Sequence, residues 1–146
     1  MLFYTTSSFR NALARLMKKR KDGYQTVMAD ICGSIQDMPD NIIRDTNERI
    51  IQMPEYRIIK LRVPNSGRKL SKADGFRLIY FVSLKSDVVV FLTVYPKRGS
   101  QGIVNLSESE YIRLVNELTF ENSNSTLHQV DIYNMMSEMS TNAMMG

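Results

Sequence analysis

The chain has 146 residues, a formal net charge of +4 and one cysteine, so we expect one domain with no internal disulfide. A domain of this size buries enough apolar surface to fold without a structural metal ion. Residues 1–22 contain no long apolar run, so we expect neither a signal peptide nor a membrane span. Together these features predict a soluble, cytoplasmic protein.

The first part of the chain predicts a possible short strand at residues 2–4 and then two helices. In the first helix, an apolar stripe at positions i, i+4 and i+7 is formed by Phe9, Leu13 and Leu16. Possible N-caps are Thr6, Ser7 and Ser8. After a turn at Asp22-Gly23, a second apolar face is formed by Tyr24, Val27, Met28, Ile31 and Ile35, and Pro39 ends that helix. We therefore expect an antiparallel helix pair.

The middle of the chain predicts strands. Residues 40–55 are ambiguous, since 48–53 fit either a strand or a helical turn. From residue 56 the apolar period becomes two, which predicts strands over 57–63, 76–82 and 88–95. The last of these is apolar on both faces for most of its length, so we expect it to be central in the sheet. Ser107 and Glu110 then form a capping box that begins a third helix.

This order of elements predicts an α+β domain over residues 1–118, in which two N-terminal helices pack on a small antiparallel sheet and a C-terminal helix follows. Residues 119–146 form an acidic, methionine-rich extension that begins with a polar, linker-like segment at Glu121. Two interpretations of the extension stay open. One is a disordered tail, and the other is a helix over 127–140 that docks through Ile132, Met135, Met136 and Met139.

The positive charge is concentrated in one segment. Residues 56–98 carry ten Lys or Arg residues and two acids, whereas residues 1–55 carry eight basic and seven acidic residues. A segment that is basic in this way favours a polyanionic partner. The sequence contains no Gly-rich phosphate loop, no Cys/His metal spacing and no G-x-S-x-G motif, and its one histidine, His128, lies in the predicted linker. We therefore expect no cofactor, and a histidine-dependent hydrolase is unfavoured.

The basic side chains fall on positions that can converge. Lys60 and Arg62 share one side of their strand, and Lys97 and Arg98 end the central strand. If the strands pair in sequence order, these four residues meet Arg77 in one patch, next to a loop that carries Arg68, Lys69 and Lys72. The alternative is a solvated, exposed side of a sheet. Tyr80 and Tyr95 are either core residues or base-stacking platforms.

A resemblance to a known family lies in the same segment. The stretch YRIIKLRVPNSGRKLSKADGFRLIY, followed by DVVVFLTVYPKRG and NLSESEYIRLV, resembles the RelE/HigB-like toxins of bacterial toxin–antitoxin modules, which belong to the RelE/ParE superfamily. That family typically shows Tyr-Lys-x-Arg, then Gly-Tyr-Arg-x-x-Tyr, then Leu-x-x-Tyr-x-Lys and a Ser-x-x-Glu helix. The resemblance spans residues 9–118.

The resemblance implies a RelE-like fold and an endoribonuclease that cuts mRNA, often on the ribosome, until a cognate antitoxin silences it. It implies that Lys60 is the base, that Arg62 and Arg77 hold the phosphate, and that Lys97 or Arg98 serves the leaving oxygen. Flanking RNA would be bound by Arg68, Lys69, Lys72 and Tyr95. Two positions depart from the pattern, since Asp74 stands where a glycine is usual and Leu106 where some members have tyrosine.

A second function is compatible with the same scaffold. Some members of the superfamily inhibit gyrase without cutting RNA, so a non-catalytic gyrase-type inhibitor or RNA-binding module is the alternative. Lys60, Arg62, Arg77 and Lys97 on one patch favour the ribonuclease. The oligomeric state stays open.

Overall fold

The computed structural model describes residues 1–134, which form one sheet with helices on both of its faces. The strands are β1 (Leu2–Thr5), β2 (Arg49–Gln52), β3 (Tyr56–Val63), β4 (Phe76–Ser83), β5 (Val88–Pro96) and β6 (His128–Val130). The α-helices are α1 (Ser7–Met17), α2 (Val27–Gln36), α3 (Asp40–Arg44) and α4 (Glu108–Ser123). Among these residues, no helix is both long and apolar enough to span a bilayer.

The strands lie in the order β2-β3-β4-β5-β1-β6. β1 and β5 are parallel, and the other neighbours are antiparallel. β5 therefore lies inside the sheet, as its two apolar faces predicted. β3, β4 and β5 also pair in sequence order, which is the condition for convergence of the basic side chains.

The turn from β1 into α1 is fixed by Thr6. Its side chain caps α1 by accepting a hydrogen bond from the Phe9 N–H at 3.2 Å. The same hydroxyl donates to the Leu92 carbonyl of β5 at 3.1 Å. One of the three predicted N-caps is thus the actual one, and it also joins the helix start to the parallel strand pair.

The larger core lies between the sheet and the three N-terminal helices. α1 contributes Phe9, Ala12 and Leu16, and α2 contributes an apolar face of Val27, Met28, Ile31, Cys32 and Ile35. They pack on strand residues that include Leu78, Tyr80 and Phe91. Cys32 is fully buried, and burial raises the pKa of its thiol to about 11, so it behaves as a small core residue.

The opposite face of the sheet is covered by α4. Leu114 and Leu118 pack against Ile58, Ile79 and Val90. Ser107 is the N-cap and accepts a hydrogen bond from the Glu110 N–H, which confirms the predicted helix start.

The α+β class is confirmed, but the detailed arrangement differs from the prediction. The sheet has six strands and one parallel pair, and helices cover both of its faces. The ambiguous segment 40–55 contains α3 and β2. Residues 49–52 form a strand because they pair with β3. A short apolar segment has no decisive period of its own, and only the strand beside it determines its structure.

The C-terminal part of the described chain continues the same fold. The predicted boundary between residues 118 and 119 falls inside α4, and the linker predicted at Glu121 is wrong because Glu121 is buried in that helix. β6 then pairs with β1, and Ile132 is buried in the larger core. The helix predicted over 127–140 is wrong at residues 128–130, which form β6, and residues 135–140 lie outside the described part of the chain.

Two carboxylates of α4 hold the start of α1. Glu121 accepts hydrogen bonds from the Ser7 N–H at 3.1 Å and from the Ser7 hydroxyl at 2.9 Å. Glu117 accepts from the Ser8 N–H at 2.8 Å and from the Ser8 hydroxyl at 2.6 Å. Burial would raise the pKa of Glu117, but the hydrogen bonds from Ser8 keep it below its usual value. These contacts satisfy N–H groups that have no partner within α1 and fix α4 across the sheet.

We expect Glu121→Ala to lower the free energy of unfolding by about 1–3 kcal/mol, because the partly buried N–H and hydroxyl of Ser7 lose their acceptor. Chemical denaturation monitored by circular dichroism measures the loss. Glu55→Ala is the matched control, since within residues 1–134 the Glu55 side chain makes only an exposed ion pair with Lys85, and it should change stability by less than about 1 kcal/mol. Equal effects of the two substitutions would contradict a structural role of Glu121.

Candidate nucleic-acid interface

A row of three polar side chains crosses the sheet. Arg62 of β3 lies opposite Arg77 of β4, and Arg77 lies opposite Tyr95 of β5. Tyr95 packs in the core on the α4 side, which places the row on that face. Lys60 lies two residues before Arg62 and therefore on the same face. Four of the predicted site residues are thus brought together, and we call Arg62, Arg77 and Tyr95 the polar row.

Glu48 also belongs to this site, although the sequence analysis missed it. Its carboxylate lies 3.2 Å from Nε of Arg62 and accepts the Arg62 backbone N–H at 3.2 Å. Its carbonyl accepts the Lys60 N–H at 3.0 Å, so the start of β2 holds it beside β3. Glu48 lies in the segment whose structure was ambiguous, and no motif marked it.

Lys60 differs from Arg62 in its partners. Within residues 1–134, no carboxylate pairs with the ammonium group of Lys60, and its side chain is partly exposed. Lys60 therefore presents an uncompensated positive charge about two residues along β3 from the Arg62–Glu48 pair.

Arg77 is used inside the protein. It is only 6% exposed, and its guanidinium donates to the carbonyls of Lys72 at 2.9 Å, Ala73 at 2.8 Å and Phe76 at 3.2 Å. Burial, followed by the positive charge of Arg62, lowers the pKa of Arg77. The side chain thus braces the loop before β4, and both of its terminal nitrogens have protein acceptors. In this conformation the predicted phosphate fork is not open to a ligand.

The end of β5 meets the same loop. The guanidinium of Arg98 pairs with Asp74 at 2.8 Å, and Lys97 donates through Nζ to the Val104 carbonyl at 3.4 Å. Gly75 permits the close approach between β3 and the loop, because a Cβ there would collide with the Val63 carbonyl oxygen. Asp74, which stands where the toxins that the sequence resembles usually have glycine, thus forms an ion pair with Arg98.

Two of the loop cations lie toward the helices. The turn at residues 66–68 is tied to α2, since the Ser66 N–H donates to Asp30 at 3.0 Å and the Gly67 N–H to Thr26 at 3.1 Å. The stem of Arg68 lies against Gly23 in the α1–α2 connection. Arg68 and its neighbour Lys69 are thus separated from the polar row. The side chain of Lys72 is exposed, and Lys72 contacts Arg77 through its backbone carbonyl.

Tyr95 cannot act as a stacking platform in this conformation, because it is only 3% exposed. Its hydroxyl is buried and has no hydrogen-bond partner among the described residues. Burial raises the pKa of Tyr95, and the charge of Arg77 partly opposes that rise. Tyr111 of α4 is a neighbour that the sequence analysis missed, and burial, together with Tyr95, raises the pKa of Tyr111 to about 12.

The remaining basic residues of the 56–98 segment lie at the other end of the sheet. Arg57 is close to Asp45 at 3.9 Å, and Lys85 pairs with Glu55 at 2.7 Å. The positive charge is therefore divided between two ends, and the end that carries the polar row also holds Glu48 and Asp74. The site is of mixed charge and is not a uniformly basic patch.

Comparison with known proteins found no matching family model, no matching curated protein and no matching solved structure. Within residues 1–134, no group of three or more His, Cys, Asp or Glu side chains is placed to hold a metal ion.

We expect Tyr95→Phe to leave stability unchanged or to raise it, because the substitution removes a buried hydroxyl that has no partner within residues 1–134. Thermal unfolding of the two purified proteins measures this. Tyr80→Phe is the matched control and should be destabilising, since the Tyr80 hydroxyl donates to the Ile43 carbonyl at 2.9 Å. A clear loss of stability in Tyr95→Phe would show that the hydroxyl is satisfied.

Proposed function

We propose that this protein binds single-stranded RNA on the face that carries Lys60 and Arg62, and that it cleaves mRNA as the toxin of a toxin–antitoxin module. One observation carries the proposal. The Glu48 carboxylate lies beside the Arg62 guanidinium, and the Glu48 carbonyl accepts the N–H of Lys60, whose ammonium group has no carboxylate partner within residues 1–134, so a proton acceptor and two cations lie close together at β3. The family resemblance of residues 9–118 supports it independently.

The reaction needs three things that this cluster offers. The RNA 2′-oxygen attacks the adjacent phosphorus, the bond from phosphorus to the 5′-oxygen breaks, and the products are a 2′,3′-cyclic phosphate and a 5′-hydroxyl. A base must take the 2′-proton, cations must stabilise the phosphorane oxygens, and an acid must protonate the 5′-oxygen. No water or metal ion enters this step.

The geometry favours Glu48 as the base. A carboxylate oxygen is an acceptor and can take the 2′-proton, whereas the ammonium group of Lys60 and the guanidinium of Arg62 carry only donors. Arg62 then supplies forked donors to the phosphate, and Lys60, which the resemblance assigns as the base, stabilises charge or protonates the leaving oxygen.

Arg77 and the end of β5 have supporting roles in this proposal. Arg77 holds the loop carbonyls and so keeps Asp74 beside Arg98. Lys97, whose only acceptor in residues 1–134 is the Val104 carbonyl at 3.4 Å, is the cation at this end that can turn toward RNA with least loss. Lys72, which is exposed in the loop before β4, contacts the RNA backbone further along.

The finer architecture and the partners are proposed on the same basis. Residues 1–118 form a RelE-like toxin domain, and its sheet is extended by β2 at one edge and by β6, from the residues that follow the domain, at the other edge. The order of the family motifs along β3, β4, β5 and α4 supports this view. Its partners are mRNA, the ribosome and a cognate antitoxin protein, and its place of action is the cytoplasm.

A non-catalytic binder on the same scaffold is the second candidate. The observation that favours it is the internal use of the cations, since Arg62 and Arg98 have ion-pair partners and Arg77 donates to backbone carbonyls. A gyrase-type inhibitor or a simple RNA-binding module needs no general base. Mapping of mRNA 5′ ends after induced expression in a bacterium separates the two functions, because only a ribonuclease creates new ends.

We expect Glu48→Gln to reduce RNA cleavage by about 10²–10⁴-fold, because it removes the general base without changing the shape of the side chain. Arg62→Ala should cost about 10²–10³-fold through loss of charge stabilisation. Single-turnover cleavage of a labelled RNA measures both. The matched control is Glu55→Gln, at the other end of the sheet, which should cleave like the unmodified protein. Full activity in folded Glu48→Gln would rule out Glu48 as the base.

RNA affinity should fall with ionic strength, and each phosphate contact should add about −0.7 to the slope of log affinity against log salt concentration. Lys60→Ala should make the slope shallower by about one contact. Arg57→Ala removes the same charge at the other end of the sheet and should leave the slope unchanged. Fluorescence anisotropy titrations at several salt concentrations measure the slopes, and a flat response in the unmodified protein would mean that the cations are solvated surface.

A further inference from the structure

An apolar groove lies between β2, the start of β3 and the outer side of α4. It encloses about 540 Å³ and is lined by Ile50, Ile51, Tyr56, Leu106, Glu108, Tyr111, Ile112, Val115 and Asn116. Two of these side chains are large, apolar and exposed, with Ile50 at 39% and Ile112 at 55%. Contiguous exposed apolar surface that is rimmed by polar residues is a mark of binding sites.

The groove lies on the same face of the sheet as Lys60 and Arg62. Tyr111 packs against the core cluster that contains Tyr95, the last member of the polar row. Tyr56 and Lys60 lie on the same face of β3, separated by about 13 Å along the strand. A ligand that fills the groove therefore reaches Lys60 and Arg62 with its neighbouring groups.

The chemistry of the lining selects the part of the ligand that enters. Two tyrosines supply flat aromatic surface, and Tyr56 is itself supported by Phe81, with ring centroids 5.3 Å apart. The single charged residue of the lining is the acid Glu108, which repels a phosphate and can accept hydrogen bonds from the amino group of a base. The groove thus suits the uncharged, planar part of a molecule whose charged part binds outside it.

We propose that this groove binds a nucleobase of the single-stranded RNA whose phosphate is held by Lys60 and Arg62, with Tyr111 as the stacking side chain. The inference rests on the proposed RNA function and adds a base-binding subsite to it. Lys60 and the exposed Arg62 favour an anionic partner, and single-stranded RNA combines an anionic backbone with apolar, stackable bases. An apolar protein segment would use the groove but would gain nothing from these cations.

The test compares two aromatic residues of α4. Tyr111 lines the groove, whereas Phe120 is 67% exposed and lies outside it. RNA made non-cleavable by 2′-deoxy substitution is titrated by fluorescence anisotropy into the full chain and its variants. We expect Tyr111→Leu to weaken binding about 5- to 150-fold, which is the range for loss of one stacked base. Phe120→Leu should bind like the unmodified protein, and Tyr111→Phe should retain affinity because it keeps the ring.

A second arm changes the RNA and needs no folded variant. Replacing one base at a time by an abasic site should weaken binding to the unmodified protein at one or two positions. The same replacement should have little further effect on Tyr111→Leu, because both changes remove one contact.

The outcomes separate the two proposals. Salt-dependent RNA binding that is unaffected by Tyr111→Leu and by every abasic site would overturn the base subsite and leave the RNA function standing. Failure of the unmodified protein to bind any of the oligonucleotides would overturn both. Equal losses in Tyr111→Leu and Phe120→Leu would also overturn the subsite, since only one of these residues lines the groove.

Discussion

The register of β3, β4 and β5 is the constraint on which the site depends. In this register Arg62, Arg77 and Tyr95 are direct cross-strand neighbours, and Leu61 and Leu78 point into the larger core. A shift of one residue would turn every side chain of a strand to the other face, and in β3 it would place Lys60 and Arg62 among the apolar residues beneath α1 and α2. Burial of the apolar face therefore fixes the position of the cations, and no interaction among the cations themselves is needed to assemble them.

The parts of this arrangement that could be predicted from the sequence are those with a strong local period. The alternation in β3 and β4 predicted the shared face of Lys60 and Arg62, and the Ser107–Glu110 pair predicted the start of α4.

Glu48 could not be found in this way, because β2 is a four-residue strand whose structure is decided by pairing with β3. Nor does any local pattern reveal that β6 returns to pair with β1 and buries Ile132, since that pairing joins residues more than a hundred positions apart. The hydrogen bonds from Arg77 to the loop carbonyls could not be predicted either, because they depend on the path of the loop and not on the residue type.

The ion pairs at the site are weak enough to be exchanged. The side chains of Arg62 and Glu48 are 55% and 32% exposed, and exposed pairs of this kind contribute only about 0–1 kcal/mol. A phosphate offers two oxygens to the same guanidinium and brings a full negative charge, so it can compete with a single carboxylate. Displacement would also free the Glu48 carboxylate at the moment when a 2′-hydroxyl arrives beside it. The Arg62–Glu48 ion pair argues against a simple basic patch. It is nevertheless compatible with a site in which a bound phosphate displaces Glu48 from Arg62.

The position of α4 connects the stability of the fold with the openness of the site. Glu117 and Glu121 anchor the helix to the start of α1, and Leu114 and Leu118 press it onto Ile58, Ile79 and Val90. The start of the helix also packs over the buried Tyr95, whereas the side chain of Arg62, farther across the sheet, is 55% exposed. The outer side of α4 at the same time forms one wall of the apolar groove through Tyr111, Ile112 and Val115. A change that loosened the anchor at Ser7 and Ser8 would thus move a wall of the groove while leaving the strands that carry the cations in register. For this reason the polar row and the groove should respond differently to mutations in α4, even though they lie on one face of one sheet.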